Sequence, residues 1–348
     1  MHDEHPRPPG FSRKPTGRAD PRFRYRDPAG APVTDAATLD RFAKLAVPPA
    51  WQHVWIAPDA ADKVQVVGVD GSGRTQYRYA EAWTQLRSGD KFAHVQDFAA
   101  ALPAVRSRVD AELAPATDAV KDALARDRVL ALAVRLLDRG FFRVGSERYA
   151  RDNDTYGLTT LQRHHVRVEA DVVHFDYTAK EHLHRVADVA DPVAARWARR
   201  LLDRDDDGTD FLAWRRPAGD WQPVHSAHVN SYLHASTGID ATAKQFRTWA
   251  GTVLAAAALG GARHGETSRS PVVAAVRATS RLLGNTPSVA RASYIHPGVV
   301  QAFEEGRSVA AAVTAAADTL HDDRLVAVWC EPVVQSAVGE LLRTTWSC

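Results

Sequence analysis

The residues best placed to do chemistry in this 348-residue chain are Leu283-Gly284-Asn285-Thr286-Pro287-Ser288-Val289-Ala290-Arg291-Ala292-Ser293-Tyr294-Ile295-His296-Pro297. The stretch is polar, falls between two helical patterns and ends on a tyrosine beside basic residues. Thr286-Pro287 reads as an N-cap followed by proline at the first helical position. A short helix then runs to Tyr294 and stops before Pro297, whose ring restricts the residue ahead of it. A phenol titrates near ~10, so tyrosine is a weak nucleophile at neutral pH. It becomes a useful one where cationic donors hold both the phenolate and its target, as at a phosphodiester. Taken alone, the segment reads first as a structural tyrosine in a helical connection.

Polar residues elsewhere, each at an expected helix end or turn, change that reading. Arg143 follows the helix stop at Gly140, in Phe141-Phe142-Arg143-Val144-Gly145. Lys180 lies where a β-hairpin ends, in Thr178-Ala179-Lys180-Glu181. Lys244-Gln245-Phe246-Arg247-Thr248-Trp249 opens a helix, with Phe246 and Trp249 inward and Lys244 and Arg247, three apart, together on another face. Asn285 and Tyr294 complete the set. Individually each basic residue reads first as a surface charge; the chemistry lies in the combination.

The elements that must position these residues form two parts. Residues 1–35 are rich in Pro, Gly, Arg and Asp without periodicity and read as a tail carrying Arg7, Arg13, Lys14, Arg18, Arg22, Arg24 and Arg26. Residues 36–90 read as a small β-rich domain: a short helix from Leu39, then strands over His53–Ile56, Lys63–Val69 and Thr75–Tyr79. Asp70-Gly71-Ser72-Gly73 is a hairpin signal between the last two strands. Alternation places Tyr77 and Tyr79 on one sheet face, free for a partner or packed as a pair. From residue 91 the chain reads as a mainly helical domain. Helices are expected over Phe92–Ala101, Val105–Leu113 and Thr117–Arg139, and again from Val193 to the end. One β element interrupts them, Val166–Val168 with Val172–Tyr177. The fold class is therefore α+β, a β-rich N-terminal domain followed by a mostly helical one.

Composition limits the partners. A net charge of +2 does not by itself announce nucleic acid, but only seven of the 44 basic residues are lysine. Arginine forks suit phosphate oxygens, although codon bias explains the excess equally well. Gly68-Val69-Asp70-Gly71-Ser72-Gly73-Arg74-Thr75 imitates a phosphate loop, yet strands and not a strand and a helix flank it. His164-His165 and His182-x-His184 lack supporting ligands, so no metal is expected. The acidic loop Asp203–Asp210 reads as solvated. Cys330 and Cys348 form no framework, the N-terminus lacks a signal-peptide core, and the longest uncharged stretch, Thr248 to Ala262, falls short of the ~20 residues of a bilayer span. A soluble cytoplasmic protein is expected.

In order and combination these stretches resemble the core of type IB DNA topoisomerases, in the short bacterial and poxvirus-like form. The matching segments are Val47-Pro48-Pro49-Ala50-Trp51, Gly73-Arg74-Thr75-Gln76-Tyr77-Arg78-Tyr79, Arg143-Val144-Gly145-Ser146-Glu147-Arg148-Tyr149, Thr155-Tyr156-Gly157-Leu158-Thr159-Thr160-Leu161, Phe175-Asp176-Tyr177-Thr178-Ala179-Lys180, Lys244-Gln245-Phe246-Arg247-Thr248 and the Tyr294 segment. They span residues 45 to 297. The resemblance implies relaxation of supercoiled DNA without ATP or metal. Tyr294 would form a 3′-phosphotyrosyl link, Arg143 and Arg247 would hold non-bridging oxygens, and Lys180 would protonate the departing 5′ oxygen. The family carries histidine where this chain has Asn285, whose amide donates a hydrogen bond but relays no proton. Gln76, Tyr77, Tyr79, Lys244, Tyr149 and Tyr156 would touch DNA. The implied protein is a monomer, acting on duplex DNA of the nucleoid with its two domains closing as a clamp, and using no nucleotide cofactor. The alternatives are a tyrosine recombinase, which has histidine where Lys244 stands and a helical N-terminal domain, and a non-catalytic duplex-binding protein.

Overall fold

The computed structural model describes residues 8–17, 23–71, 73–115, 124–261, 270–317 and 325–345. Arg7, Arg18 and Arg22 of the expected arm, Ser72 of the hairpin turn and Cys348 lie outside them. The chain divides into two compact units, residues 1–91 and 92–348.

The first unit holds β1 (Phe11–Pro15), β2 (Phe23–Arg26), α1 (Ala36–Lys44), β3 (Gln52–Ile56), β4 (Val64–Val69) and β5 (Thr75–Tyr79). The strands form one antiparallel sheet in the order β2-β1-β3-β4-β5. Its core joins Phe42 of α1 to Val54, Ile56 and Val66, with Phe11 and Tyr25 packed on the Phe42 ring. Each such buried side chain stabilises the unit by about 1.5–3 kcal/mol. Residues 1–35 are therefore not a tail throughout: β1 and β2 belong to the sheet. Arg13 shows why the chain is tied down. It is buried, and its guanidinium donates to the carbonyls of Val47, Pro48 and Trp51, satisfying the Val47–Trp51 turn from within.

Helix α2 runs over Glu81–Leu113. The helices expected over Phe92–Ala101 and Val105–Leu113 are one, with Pro103 inside it. Proline there costs about 3 kcal/mol, and burial of Phe98, Leu102, Val105 and Val109 on the same helix opposes that cost. The second unit continues with α3 (Arg126–Gly140), α4 (Glu147–Asn153), β6 (Val166–Glu169), β7 (Val172–Ala179), β8 (Leu183–Ala190), α5 (Pro192–Leu202), β9 (Ala213–Arg215), β10 (Trp221–Pro223) and α6 (Ser226–Thr237). It ends with α7 (Ala243–Gly260), α8 (Pro271–Leu283), α9 (Pro287–Ser293), α10 (Pro297–Glu304), α11 (Ala310–Ala317), α12 (Leu325–Trp329) and α13 (Pro332–Thr345).

Helix α7 is the axis of this body, buried on nearly every face and packed against α3, α6, α8, α10, α11, α12 and α13. Strands β6, β7 and β8 form an antiparallel sheet. The third strand, β8, and the β9–β10 hairpin were not expected from the sequence. The acidic loop is also less solvated than expected, because buried Arg204 gathers Asp206 and the carbonyls of Asp210 and Phe211. Among the described residues no helix is long and apolar enough to cross a membrane.

Candidate active site

The Tyr294 segment folds as its residues dictate. Thr286 caps α9 by accepting from Val289 N, Pro287 opens the helix, and Tyr294 stands at its C-cap. The backbone of Tyr294 rests on α7. Gly251 offers no side chain there, and a Cβ at that position would lie 2.6 Å from Tyr294 O. Thr252 donates to the same carbonyl at 3.3 Å and accepts from His296 N at 3.1 Å. One turn earlier, α7 carries Arg247. The same helix therefore fixes the tyrosine and its cation, and the guanidinium carbon lies 4.9 Å from the Tyr294 ring centroid.

Arg247 is 2% exposed and does not share a solvated face with Lys244, as the helical spacing had implied. Lys244 is exposed on the first turn of α7. Arg247 donates to Phe141 O and, at 2.8 Å, to Leu283 O. Burial, then the positive charges of Arg143 and Arg185, push its pKa down to about 10 against the pull of Tyr294, which leaves it cationic at neutral pH.

Arg143 lies just past α3, whose C-cap Phe141 adopts φ 52°. That left-handed conformation costs a non-glycine residue about 1–2 kcal/mol, and the buried ring is held against Trp329. The loop is clamped from the other side: Leu158 N donates to Arg143 O and Thr159 N to Val144 O. Gly157 meets Gly145 so closely that a Cβ on Gly157 would lie 2.6 Å from Gly145 Cα. The Thr155–Leu161 segment thus holds the arginine loop, and through Tyr156 N to Thr178 O it is tied to β7.

Arg143 donates to Asn285 Oδ1 at 2.6 Å and to Gly284 O at 3.1 Å. A guanidinium only donates, so the amide oxygen must face it. That leaves Asn285 Nδ2 buried and without a hydrogen-bond partner among the described residues. An unpaired buried donor is costly, and here it sits beside a cluster of cations.

Electrostatics at Tyr294 is a contest. Burial raises the phenol pKa, while Arg247, and then Arg143 and Lys244, lower it; the net position is below the ordinary value. Burial raises Tyr25 and Tyr177, and Tyr232 is pushed up to about 12 by the same cause. In Tyr156 the hydrogen bond to Asp154 pushes the phenol up to about 12.

Sequence reasoning missed Arg185, a third guanidinium in the cluster. It donates from β8 to Gly140 O at 2.9 Å and Leu283 O at 3.1 Å. The inward alternation of Arg185, Ala187 and Val189 was the available signal. Arg185 also lines a cavity of about 600 Å³ with Arg143, Arg139, Arg281 and Asn285.

The structure brings Arg143, Asn285, Arg247 and Tyr294 into one cluster. Lys180 is exposed in the β7–β8 turn, with no hydrogen bond or ion pair among the described residues, while Ala179 and Leu183 on either side of the turn line the same cavity as Arg143 and Asn285. Glu181 and His182 take φ 68° and 54° there, the left-handed pair that a tight hairpin turn uses. In the first unit, Tyr77 and Tyr79 are 43% and 44% exposed on edge strand β5, their rings stacked 6.4 Å apart. Gln76 Nε2 donates to Asp70. Tyr149 is exposed on α4, and half-buried Tyr156 packs on His165. His164, His165, His182 and His184 are not part of a metal-binding group, and no such group of three or more His, Cys, Asp or Glu occurs among the described residues.

Comparison with known proteins gives two family matches. Residues 80–319 match the eukaryotic DNA topoisomerase I catalytic core, and residues 22–70 the N-terminal domain of bacterial DNA topoisomerase IB. The DNA topoisomerase 1B of Acanthamoeba polyphaga mimivirus is 27% identical over 274 residues, covering 74% of this chain and 77% of that protein.

Proposed function

The chain belongs to the type IB DNA topoisomerase family, and from that premise we propose that it relaxes supercoiled duplex DNA by cutting one strand with Tyr294, letting it swivel, and resealing it. The observation that carries this reading is Arg247 held 4.9 Å from the Tyr294 ring, next to the Arg143–Asn285 pair.

The Tyr294 oxygen, its proton given up to solvent, attacks the phosphorus. The bond to the 5′ oxygen breaks and a 3′-phosphotyrosyl bond forms. Arg143 and Arg247 hold the non-bridging oxygens as charge builds, and Asn285 Nδ2 adds a neutral donor. Lys180 gives its proton to the departing 5′ oxygen, which would otherwise leave as a strongly basic alkoxide. Duplex binding brings the exposed hairpin turn to that oxygen. Resealing reverses each step, and because the phosphotyrosine retains the bond energy no ATP is consumed. Guanidinium and ammonium groups supply the charge that metal ions supply in other phosphoryl transfers.

Gln76, Tyr77, Tyr79, Lys244, Tyr149 and Tyr156 contact the duplex in this reading, the two units closing on it as a clamp. The first unit, with β1 and β2 included in its sheet, serves as the DNA-binding domain and the second as the catalytic domain of a monomer acting at the nucleoid. The exposed, stacked Tyr77–Tyr79 pair supports the first assignment.

The test mixes purified protein with supercoiled plasmid, EDTA and no ATP. The expected result is relaxation by the wild type and none by Tyr294→Phe, which keeps duplex affinity because phosphate contacts dominate it. A covalent adduct in Tyr294→Phe on a denaturing gel would reassign the nucleophile. Site-dependent strand exchange would identify a recombinase, and a mobility shift alone a binding protein.

A further inference from the structure

Building on the assignment of Tyr294, Arg143 and Arg247 to strand cleavage, we infer that Arg185 is a positioning residue: a strut that fixes the gap between the ends of α3 and α8 while Arg247 turns to a phosphate. Both arginines span the same gap. Arg247 reaches Phe141 O and Leu283 O; Arg185 reaches Gly140 O and the same Leu283 O. The α3 end leads directly to Arg143, and the α8 end to Asn285. The width of the gap therefore sets where these donors stand relative to Arg247 and Tyr294.

The two ties differ in what else they must do. Arg247 lies against Tyr294, where a phosphoryl oxygen held at the tyrosine would compete with the two carbonyls for its guanidinium. Arg185 does not lie against the tyrosine, and its two hydrogen bonds are the carbonyl ties themselves. It comes from β8, where it is paired in register with Tyr177, and its guanidinium lies 5.6 Å from the Phe142 ring centroid. Gly284 makes room for it, since a Cβ there would lie 2.6 Å from Arg185 Nη1. The strut needs a planar fork, because two carbonyls on separate helices must be held at once, and a lysine point charge does not provide that geometry.

Single-turnover adduct formation on a short duplex tests the inference, with thermal midpoint and duplex affinity measured alongside. Arg185→Lys and Arg185→Ala should each slow cleavage by about 10- to 100-fold, the scale of a 1 Å misplacement of reacting groups, with affinity unchanged within about twofold. In an Arg143→Ala background, adding Arg185→Lys should slow the rate by much less than it does in the wild type, because the principal donor that the strut positions is gone. Full multiplication of the two losses would mean general destabilisation and would overturn the strut. Restoration of the wild-type rate by Arg185→Lys would do so too, by showing that charge alone suffices. Should Arg185→Ala not fold, Arg185→Gln takes its place in the same comparison. A wild type that forms no adduct sinks the cleavage reading itself. A wild type that cuts no faster than Arg185→Lys sinks only the strut.

Discussion

Replacing Gly251 with alanine separates the stability of the helical body from the aim of its tyrosine. The new Cβ would lie 2.6 Å from Tyr294 O, 3.0 Å from Tyr294 Cβ and 3.1 Å from Leu283 Cδ1. Ordinary contact begins at 3.4 Å, so the Tyr294 backbone must retreat by roughly 0.8 Å. Helix α7 cannot yield instead, being buried on nearly every face. Overpacking of this kind costs about 1–3 kcal/mol, while alanine returns about 1 kcal/mol of helix propensity. The net loss of stability is therefore about 0–2 kcal/mol. Arg247 stays on its own turn of α7, so nearly the whole displacement appears between nucleophile and cation. A misplacement near 1 Å costs on the order of 100-fold in rate. Gly251→Ala should thus melt close to the wild type yet form adduct about 100-fold more slowly in a single-turnover assay on a duplex whose cleaved fragment dissociates. A folded Gly251→Ala protein that cuts within about threefold of wild type would refute the claim that α7 aims Tyr294.

Other outcomes follow from the same geometry. Lys180→Ala should slow cleavage by about 10²–10⁴ but cut near the wild-type rate when the 5′ bridging oxygen is sulfur, since a thiolate leaves unprotonated; failure of that rescue would place the proton donor elsewhere. Asn285→Ala should cost less than Arg143→Ala or Arg247→Ala, at or below the ~2.7–4 kcal/mol of an oxyanion donor. Asn285→Asp should be worse than Asn285→Ala, because it keeps the Arg143 contact, loses the Nδ2 donor and turns a negative charge on the phosphate; single-turnover rates for the four variants check the order. The cleavage rate should rise with pH to a plateau as Tyr294 ionises below its ordinary range. Arg247→Ala removes the chief charge favouring the phenolate, so burial then dominates and the rising limb should move to higher pH; a pH–rate profile left in place would deny that coupling.

Local chemistry made several elements legible in the sequence. Thr286-Pro287 opens α9 as its residue types require, α3 stops where expected although the left-handed cap falls on Phe141 and not on Gly140, and β3, β4 and β5 lie where the sequence puts strands. What was missed depends on tertiary context. In β8 the run Leu183–Ala190 is poor in strong strand formers, and its inward positions include a charged Arg185. Strand β2 alternates Phe23 and Tyr25 with Arg24 and Arg26, a signal hidden by the surrounding Pro, Gly and Arg. The site divides in the same way. Tyr294, Arg143, Asn285 and Arg247 were singled out by type and order, whereas the burial of Arg247 and the contacts of Arg185 and Gly251 appear only once α3, α7 and α8 are packed together.

The carbonyls that hold the arginines have a consequence for selectivity. Without DNA, Arg143 and Arg247 are both engaged by oxygens at the trailing ends of α3 and α8. Those ends carry partial negative charge. The cationic cluster is thus muted by the protein's own backbone dipoles, and an incoming anion must displace them to gain full contact. A lone phosphate or other small anion has only its own charge with which to do so. A duplex anchored by many distant contacts holds one phosphate against the cluster long enough for the exchange to complete. Under the proposed reaction the resting site would behave as a latch, closed to small anions and opened by a polymer whose remaining contacts bear the cost of opening.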